Sequence, residues 1–163
     1  LCNMELSKVL YDCLAEAPKE AFTQEEKDFA HALNQTMPEL YEQLRTKAYA
    51  PEGTDLHEGL LPIEPVDGYG SSDVGDVQHI VPGGSFSTAC FAIGAPGHSW
   101  QNSACSGHSL GLRGMIYASR VIALFGLKVI ENPDIVEKAK AEFVKETGGK
   151  PYICPIPEEL PIP

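Results

Sequence analysis

Apolar residues recur at helical steps through residues 4–15, where Met4, Leu6, Val9, Leu10, Cys13 and Leu14 predict a helix with a broad apolar face that Pro18 closes. Thr23 and Glu26 then stand in the T-x-x-E arrangement that opens a helix, each side chain able to satisfy a free amide of the first turn. Phe29, Leu33, Met37, Leu40 and Leu44 continue one apolar face as far as Arg45. Pro38, which lacks the donor for the preceding turn, breaks or bends this run and predicts two shorter helices. Residues 51–70, rich in proline and glycine among acidic side chains, read as a linker or crossover, and residues 77–82 as a short extended piece.

Residues 86–93 (FSTACFAI) are apolar at nearly every position and predict a strand covered on both faces. A glycine-bearing turn, 94–97, hands over to His98-Ser99-Trp100 and then to a long helix over 106–125 that Gly126 ends. Gly107, Gly111 and Gly114 fall on one side of that helix, where another element can approach closely. A last helix starts at Asn132-Pro133-Asp134, with Asn as cap and Pro in the first turn, and stops at Gly148-Gly149. The proline-rich tail over 150–163 reads as a surface strap. Strand, glycine turn and helix in series predict an α/β arrangement whose sheet is incomplete, since one strand is too few.

With 163 residues, one ordinary domain is the expectation, and 43% apolar content argues against intrinsic disorder. The formal charge of -11 repels a phosphate backbone, and no local basic patch opposes it, so nucleic acid is not an expected partner. The greasiest stretch, 115–129, is interrupted by Arg120 and Lys128, which argues against a membrane span. Five scattered cysteines with no close pair point to a reducing, cytoplasmic setting. On the same ground the Asn34-Gln35-Thr36 sequon is read as an accidental glycosylation match.

Asp67, Asp73, Asp76, His79, His98 and His108 are the concentrated supply of carboxylate and imidazole, ligand types that suit zinc or manganese. Asp73, Asp76 and His79 share a face if that segment is helical; solvated loop polars and local caps are the competing reading. His98 follows the expected strand and its turn, where α/β proteins present functional side chains, although a ring capping the turn or packing on Trp100 fits equally. His108 reads as a structural histidine, and His31 and His57 as surface or capping residues without supporting neighbours. The 94–97 turn could offer free amides to an anion, but it matches neither phosphate-binding fingerprint. Cys90 reads as filler; Cys105 stands at a helix start with no base assigned to it.

The strings GSSDVGDVQHIVP over 70–82, PGHSWQ over 96–101 and GHSLGLRGM over 107–115, with NMEL from Asn3 and FTQEE over 22–26, together resemble the C-terminal part of the zinc-dependent aminoacylase and carboxypeptidase family of amidohydrolases. The resemblance implies an α/β fold: the C-terminal part of a mixed-sheet, zinc-peptidase-like catalytic domain with flanking helices, incomplete here. It divides the chain into a helical segment over 1–50, following the junction with an inserted domain, and the end of the catalytic domain over 51–163. It implies two zinc ions in the complete protein, with manganese as the alternative, and hydrolysis of an N-acyl amino acid or aminobenzoyl-glutamate-like amide by metal-activated water. On it His98 matches the late metal-binding histidine, Asp73 and Asp76 match an acidic motif that positions groups beside the metals, and Gly94 and Gly97 shape the turn at the substrate. The family's early ligands and its glutamate base have no counterpart, because Glu25-Glu26 and Glu158-Glu159 lack the matching neighbours. The expected partners are a small-molecule amide and the missing N-terminal part of the catalytic domain. An isolated chain of this kind is expected to be inactive, to expose apolar surface and to self-associate as a homo-oligomer. The alternative class is a noncatalytic structural or dimerisation module.

Overall fold

Local sequence signals set the helix boundaries. In this computed structural model, which describes residues 1–63, 72–157 and 160, they delimit seven α-helices among the described residues: α1 Met4–Glu16, α2 Gln24–Asn34, α3 Pro38–Lys47, α4 Val74–Gln78, α5 Trp100–Ser106, α6 Ser109–Glu131 and α7 Pro133–Thr147. Thr23 Oγ1 accepts from the Glu26 amide while the Glu26 carboxylate accepts from the Thr23 amide, so the anticipated capping box opens α2. Pro38 occupies the first turn of α3, where its missing donor is harmless, and so separates α2 from α3. Asp67, Gly70 and the Glu158-Glu159 pair lie outside the described residues.

The chain forms two compact units. One comprises Leu1–Asp12, Ile63–Phe86 and Phe125–Pro163. In it the first turn of α1 is satisfied from a distance: the Met4 and Glu5 amides donate to the Glu142 carboxylate of α7 at 2.8 and 2.9 Å, a negative group at the positive helix end. Asn3 is nearly fully buried, its Oδ1 accepting from the Leu6 amide and its Nδ2 donating to the Ala139 carbonyl at 2.8 Å. At the end of α7, Gly148 adopts a left-handed φ of 63°, which glycine alone takes without side-chain strain. Asn132 makes no side-chain cap, contrary to expectation, and Pro133 sets the start of α7 by itself.

The other unit comprises Cys13–Pro62 and Ser87–Leu124. Its core joins Phe22, Ala30, Leu33, Leu56, Ala92, Cys105 and Leu110, with Phe29, Ala89 and Ala95 packed around them. Glu26 is buried at 1% side-chain exposure and is held by Arg113 Nε at 2.9 and 3.1 Å from its two oxygens. The close approach anticipated at the α6 glycines is present: a Cβ on Gly114 would lie 2.5 Å from both the Ala89 carbonyl oxygen and Cys90 Sγ, and one on Gly111 would meet the Cys105 carbonyl. Gly107 instead terminates α5.

The α/β expectation is overturned, because no strand occurs among the described residues. Residues 86–93 run as irregular chain, since a strand exists only by pairing with another and no described segment offers a ladder. Its apolar side chains are used instead in helix packing, as the buried Ala92 shows, and the Ile93 amide donates to the Asp55 carbonyl at 3.0 Å. Residues 77–82 are also not extended; they finish α4 and turn through bonds from Ile80 and Val81 to the Val77 carbonyl. α6 starts later than expected and passes through Gly126, an isolated helical glycine that costs about 1 kcal/mol and does not end the helix.

By length and composition α6 is able to cross a membrane, so Arg120 and Lys128 do not exclude it. Two of its side chains, Leu110 and Val121, are nevertheless fully buried in the protein. The expected exposed apolar surface is present: Leu112, Met115, Ile116 and Ile122 of α6 are each about half exposed or more.

Candidate functional site

The 94–97 turn is fixed by a buried asparagine that sequence reasoning set aside. Asn34, fully buried at the end of α2, accepts from the Gly94 amide at 2.8 Å and donates to the Asp55 carboxylate at 2.8 Å. Asp55 also holds His31 Nδ1 at 3.0 Å, so His31 has the partner that its sequence neighbourhood did not reveal. Gly94 is obligatory for this geometry: a Cβ there would lie 2.9 Å from both Asn34 Oδ1 and Tyr41 Cβ. Gly97, in contrast, faces open space.

At the far side of the turn, Ser99 donates to the Pro96 carbonyl at 2.6 Å and accepts from the Asn102 amide, capping α5. Gln101, 4% exposed, donates to Thr36 Oγ1 at 3.1 Å and ties α5 back to the segment after α2. Between these anchors His98 takes a left-handed φ of 57°, a conformation that costs a non-glycine residue of order 1 kcal/mol or more. Its side chain is exposed, and among the described residues no hydrogen bond engages its ring. The clamped loop thus presents an exposed imidazole on a strained backbone position.

Asp73 and Asp76 belong to the other unit. Asp73 precedes α4 with its carboxylate exposed and makes no side-chain cap. Asp76 accepts from the Tyr152 hydroxyl, which pushes the Tyr152 phenol up to about 12, since a hydrogen bond to a neighbouring carboxylate favours the protonated form. This bond ties the tail to α4. His79, at the end of α4, spends Nδ1 on the Gly75 carbonyl at 2.7 Å.

The remaining candidates have structural explanations. His108 stacks on Phe29 with centroids 4.0 Å apart, and its Nδ1 accepts from the Leu110 amide, capping α6. Burial lowers His57. Burial also pushes the Cys105 thiol up, which makes it a poor nucleophile. The Asn34 amide is enclosed and bonded, so the sequon is inaccessible in the folded chain.

A zinc site needs three or four protein ligands, and among the described residues no group of three His, Cys, Asp or Glu side chains comes together. His98 is not part of any such group, and the described residues do not by themselves fit a metal centre. A separate cavity of about 220 Å³ lies in the second unit, with Phe22, Leu112, Ile116 and Tyr117 among its apolar walls and Arg113 and Arg120, both bound to Glu20, at its edge.

A clamped glycine turn carrying an outward histidine and, in the first unit, an acidic α4 motif are the two features that the hydrolase resemblance had marked. In agreement with that resemblance, the chain is similar to one of the subunits of the p-aminobenzoyl-glutamate hydrolase of Escherichia coli (strain K12), 26% identical over 175 residues. The match covers 98% of this chain and 36% of the relative, so the chain spans about a third of that protein's length. No protein-family model matches the chain, and no solved structure matches it.

Proposed function

We propose that this chain is part of a metal-dependent amidohydrolase that cleaves an aminobenzoyl-glutamate-like or other N-acyl amino acid amide, and that it contributes His98 to the active centre. The observation that carries the reading is His98 itself: an exposed imidazole held at a left-handed φ of 57° by an Asn34-anchored turn, within a chain similar along 98% of its length to part of a hydrolase. Strain of this kind persists only where surrounding bonds impose it, and it clusters at working sites. Imidazole is a common zinc ligand, and zinc when bound would supply an activated water and carbonyl polarisation; manganese is the alternative ion. Because the described residues supply one donor and no centre, the other ligands and the general base are assigned to polypeptide outside this chain, and no catalytic step is derived. Gly94 and Gly97 are assigned the shaping of the turn beside His98, while Asp73 and Asp76, in the other unit, keep only the positioning role that the resemblance gives them. The five free cysteines fit a reducing cytoplasm.

Native mass spectrometry of the chain with and without zinc tests the assignment. No stoichiometric zinc on the chain alone is expected, together with no amide hydrolysis; one tightly held zinc per chain would show a ligand set that this reading lacks. The second reading, a noncatalytic structural or dimerisation module, is favoured by the exposed apolar side of α6. A stable dimer that neither binds zinc nor hydrolyses amides when supplied with the remainder of the hydrolase would establish it.

A further inference from the structure

The string Asn34-Gln35-Thr36, which resembles a glycosylation sequon, stands at the end of α2, and its first and last side chains hold the loop of His98 at two points. Asn34 Oδ1 accepts from the Gly94 amide at 2.8 Å on the near side of His98. Thr36 Oγ1 accepts from Gln101 Nε2 at 3.1 Å on the far side. Both acceptors are aimed by neighbours outside the loop. Thr36 spends its hydroxyl proton on the Leu33 carbonyl at 2.6 Å, so toward Gln101 its oxygen can only accept. Asn34 Nδ2 donates to the Asp55 carboxylate at 2.8 Å and to the Asp55 carbonyl at 3.2 Å. Neither of those oxygens can donate in return, which leaves the amide oxygen of Asn34 turned to Gly94. Asp55 is held in turn by His31 on its other oxygen, by the Ile93 amide on its carbonyl, and by the adjoining Leu56, which is buried in the core.

Between the two anchors His98 keeps its left-handed φ of 57°, a conformation that persists only where its surroundings impose it. Resting on the hydrolase reading, we infer that Asn34 and Thr36 are positioning residues for His98, and that Asp55 acts through Asn34 by fixing the direction of its amide. The sequon-like string is thus the device that sets where the imidazole points from, and its two polar side chains serve the loop rather than a glycan.

The test compares Asn34→Ala and Thr36→Val with two controls: Thr36→Ser, which keeps the hydroxyl, and Glu39→Gln, which removes an exposed charge elsewhere in the same unit. The first readout is nuclear magnetic resonance of the 163-residue chain alone, at a temperature where every variant gives the parent circular dichroism. The nuclear Overhauser effect between the amide proton and the Hα of His98 is strong only at positive φ. It should be strong in the parent and in both controls, and lost in Asn34→Ala and Thr36→Val. An unchanged effect in these two variants, even with a lowered melting temperature, would show a merely structural role and overturn the inference. Should Asn34→Ala fail to fold, Thr36→Val, at an exposed position, decides alone. The second readout is turnover of p-aminobenzoyl-glutamate by the chain combined with the complementary part of the Escherichia coli relative. There kcat should fall about tenfold in Thr36→Val with KM unchanged, and recover in Thr36→Ser. An unchanged kcat would overturn the positioning role. No turnover by the parent combination would remove the hydrolase reading and with it the catalytic purpose, while the resonance result still decides whether the two anchors set His98.

Discussion

Replacing Glu26 by Gln removes one charge from a pair on which the second unit is built. Glu26 is 1% exposed and accepts from Arg113 Nε through both oxygens, while Oε2 also takes the Thr23 amide at 2.8 Å. Removing one partner of a buried pair costs about 3–5 kcal/mol, because the other charge is left buried and uncompensated. Arg113 is 22% exposed and retains Glu20 at 3.0 Å, which lowers the expected loss to about 2–3 kcal/mol. Against a total stability of about 5–15 kcal/mol, that is readily measured by urea unfolding followed by circular dichroism. Burial pushes the Glu26 carboxyl up, but the Thr23 amide, Ser109 and Arg113 outweigh it and hold the group below its ordinary 4.5. A depressed folded value means that the contribution is fully present above 4.5 and is lost as the pH falls below it through the folded value. The Gln variant should therefore show a flatter loss of stability in acid than the parent. A cost below about 0.5 kcal/mol, or acid curves of identical shape, would refute the reasoning.

Gly94→Ala should destabilise by about 1–3 kcal/mol, because its methyl meets Asn34 and Tyr41, whereas Gly97→Ala, in open space, should be close to neutral; equal melting temperatures for the two would contradict this account. Asn34→Ala leaves the Gly94 amide without its acceptor and should cost about 1–3 kcal/mol in chemical denaturation, a loss that an unchanged midpoint would rule out. In an ultraviolet titration the Tyr152 phenol should ionise near pH 12, and Asp76→Asn should bring it down; a titration indifferent to that substitution would show that the tail does not rest on α4. Thiol labelling of the native chain should be fast at the exposed Cys2 and Cys154 and slow at the buried Cys13 and Cys105.

Local chemistry made much of this fold legible in advance. The Thr23–Glu26 capping box, Pro38 and Pro133 at helix starts, and Gly148 at a helix end each act within a single turn, so the sequence alone locates them. The strand expected over 86–93 failed for the complementary reason: apolar composition expresses a preference, but a strand requires a second strand, and among the described residues none is there to pair. Gly126 misled because an exposed helix tolerates an isolated glycine when favourable residues follow. At the candidate site, the turn was legible from the glycines of the 94–97 string. Its anchor was not, because Asn34 lies 60 positions before Gly94 and its local context resembles a glycosylation sequon. The available signal was the place of Asn34 one turn after Ala30, both of which are fully buried in α2.

The most direct test of the central claim is zinc-dependent hydrolysis of p-aminobenzoyl-glutamate by the chain combined with the complementary part of the Escherichia coli relative, measured for the parent chain and for His98→Ala. The account predicts turnover by the parent mixture, none by either component alone, and loss of both bound zinc and turnover in the variant with its complex intact. A variant that keeps its zinc and its rate, or a well-formed parent complex that hydrolyses nothing, would contradict the assignment of His98 to a hydrolytic centre.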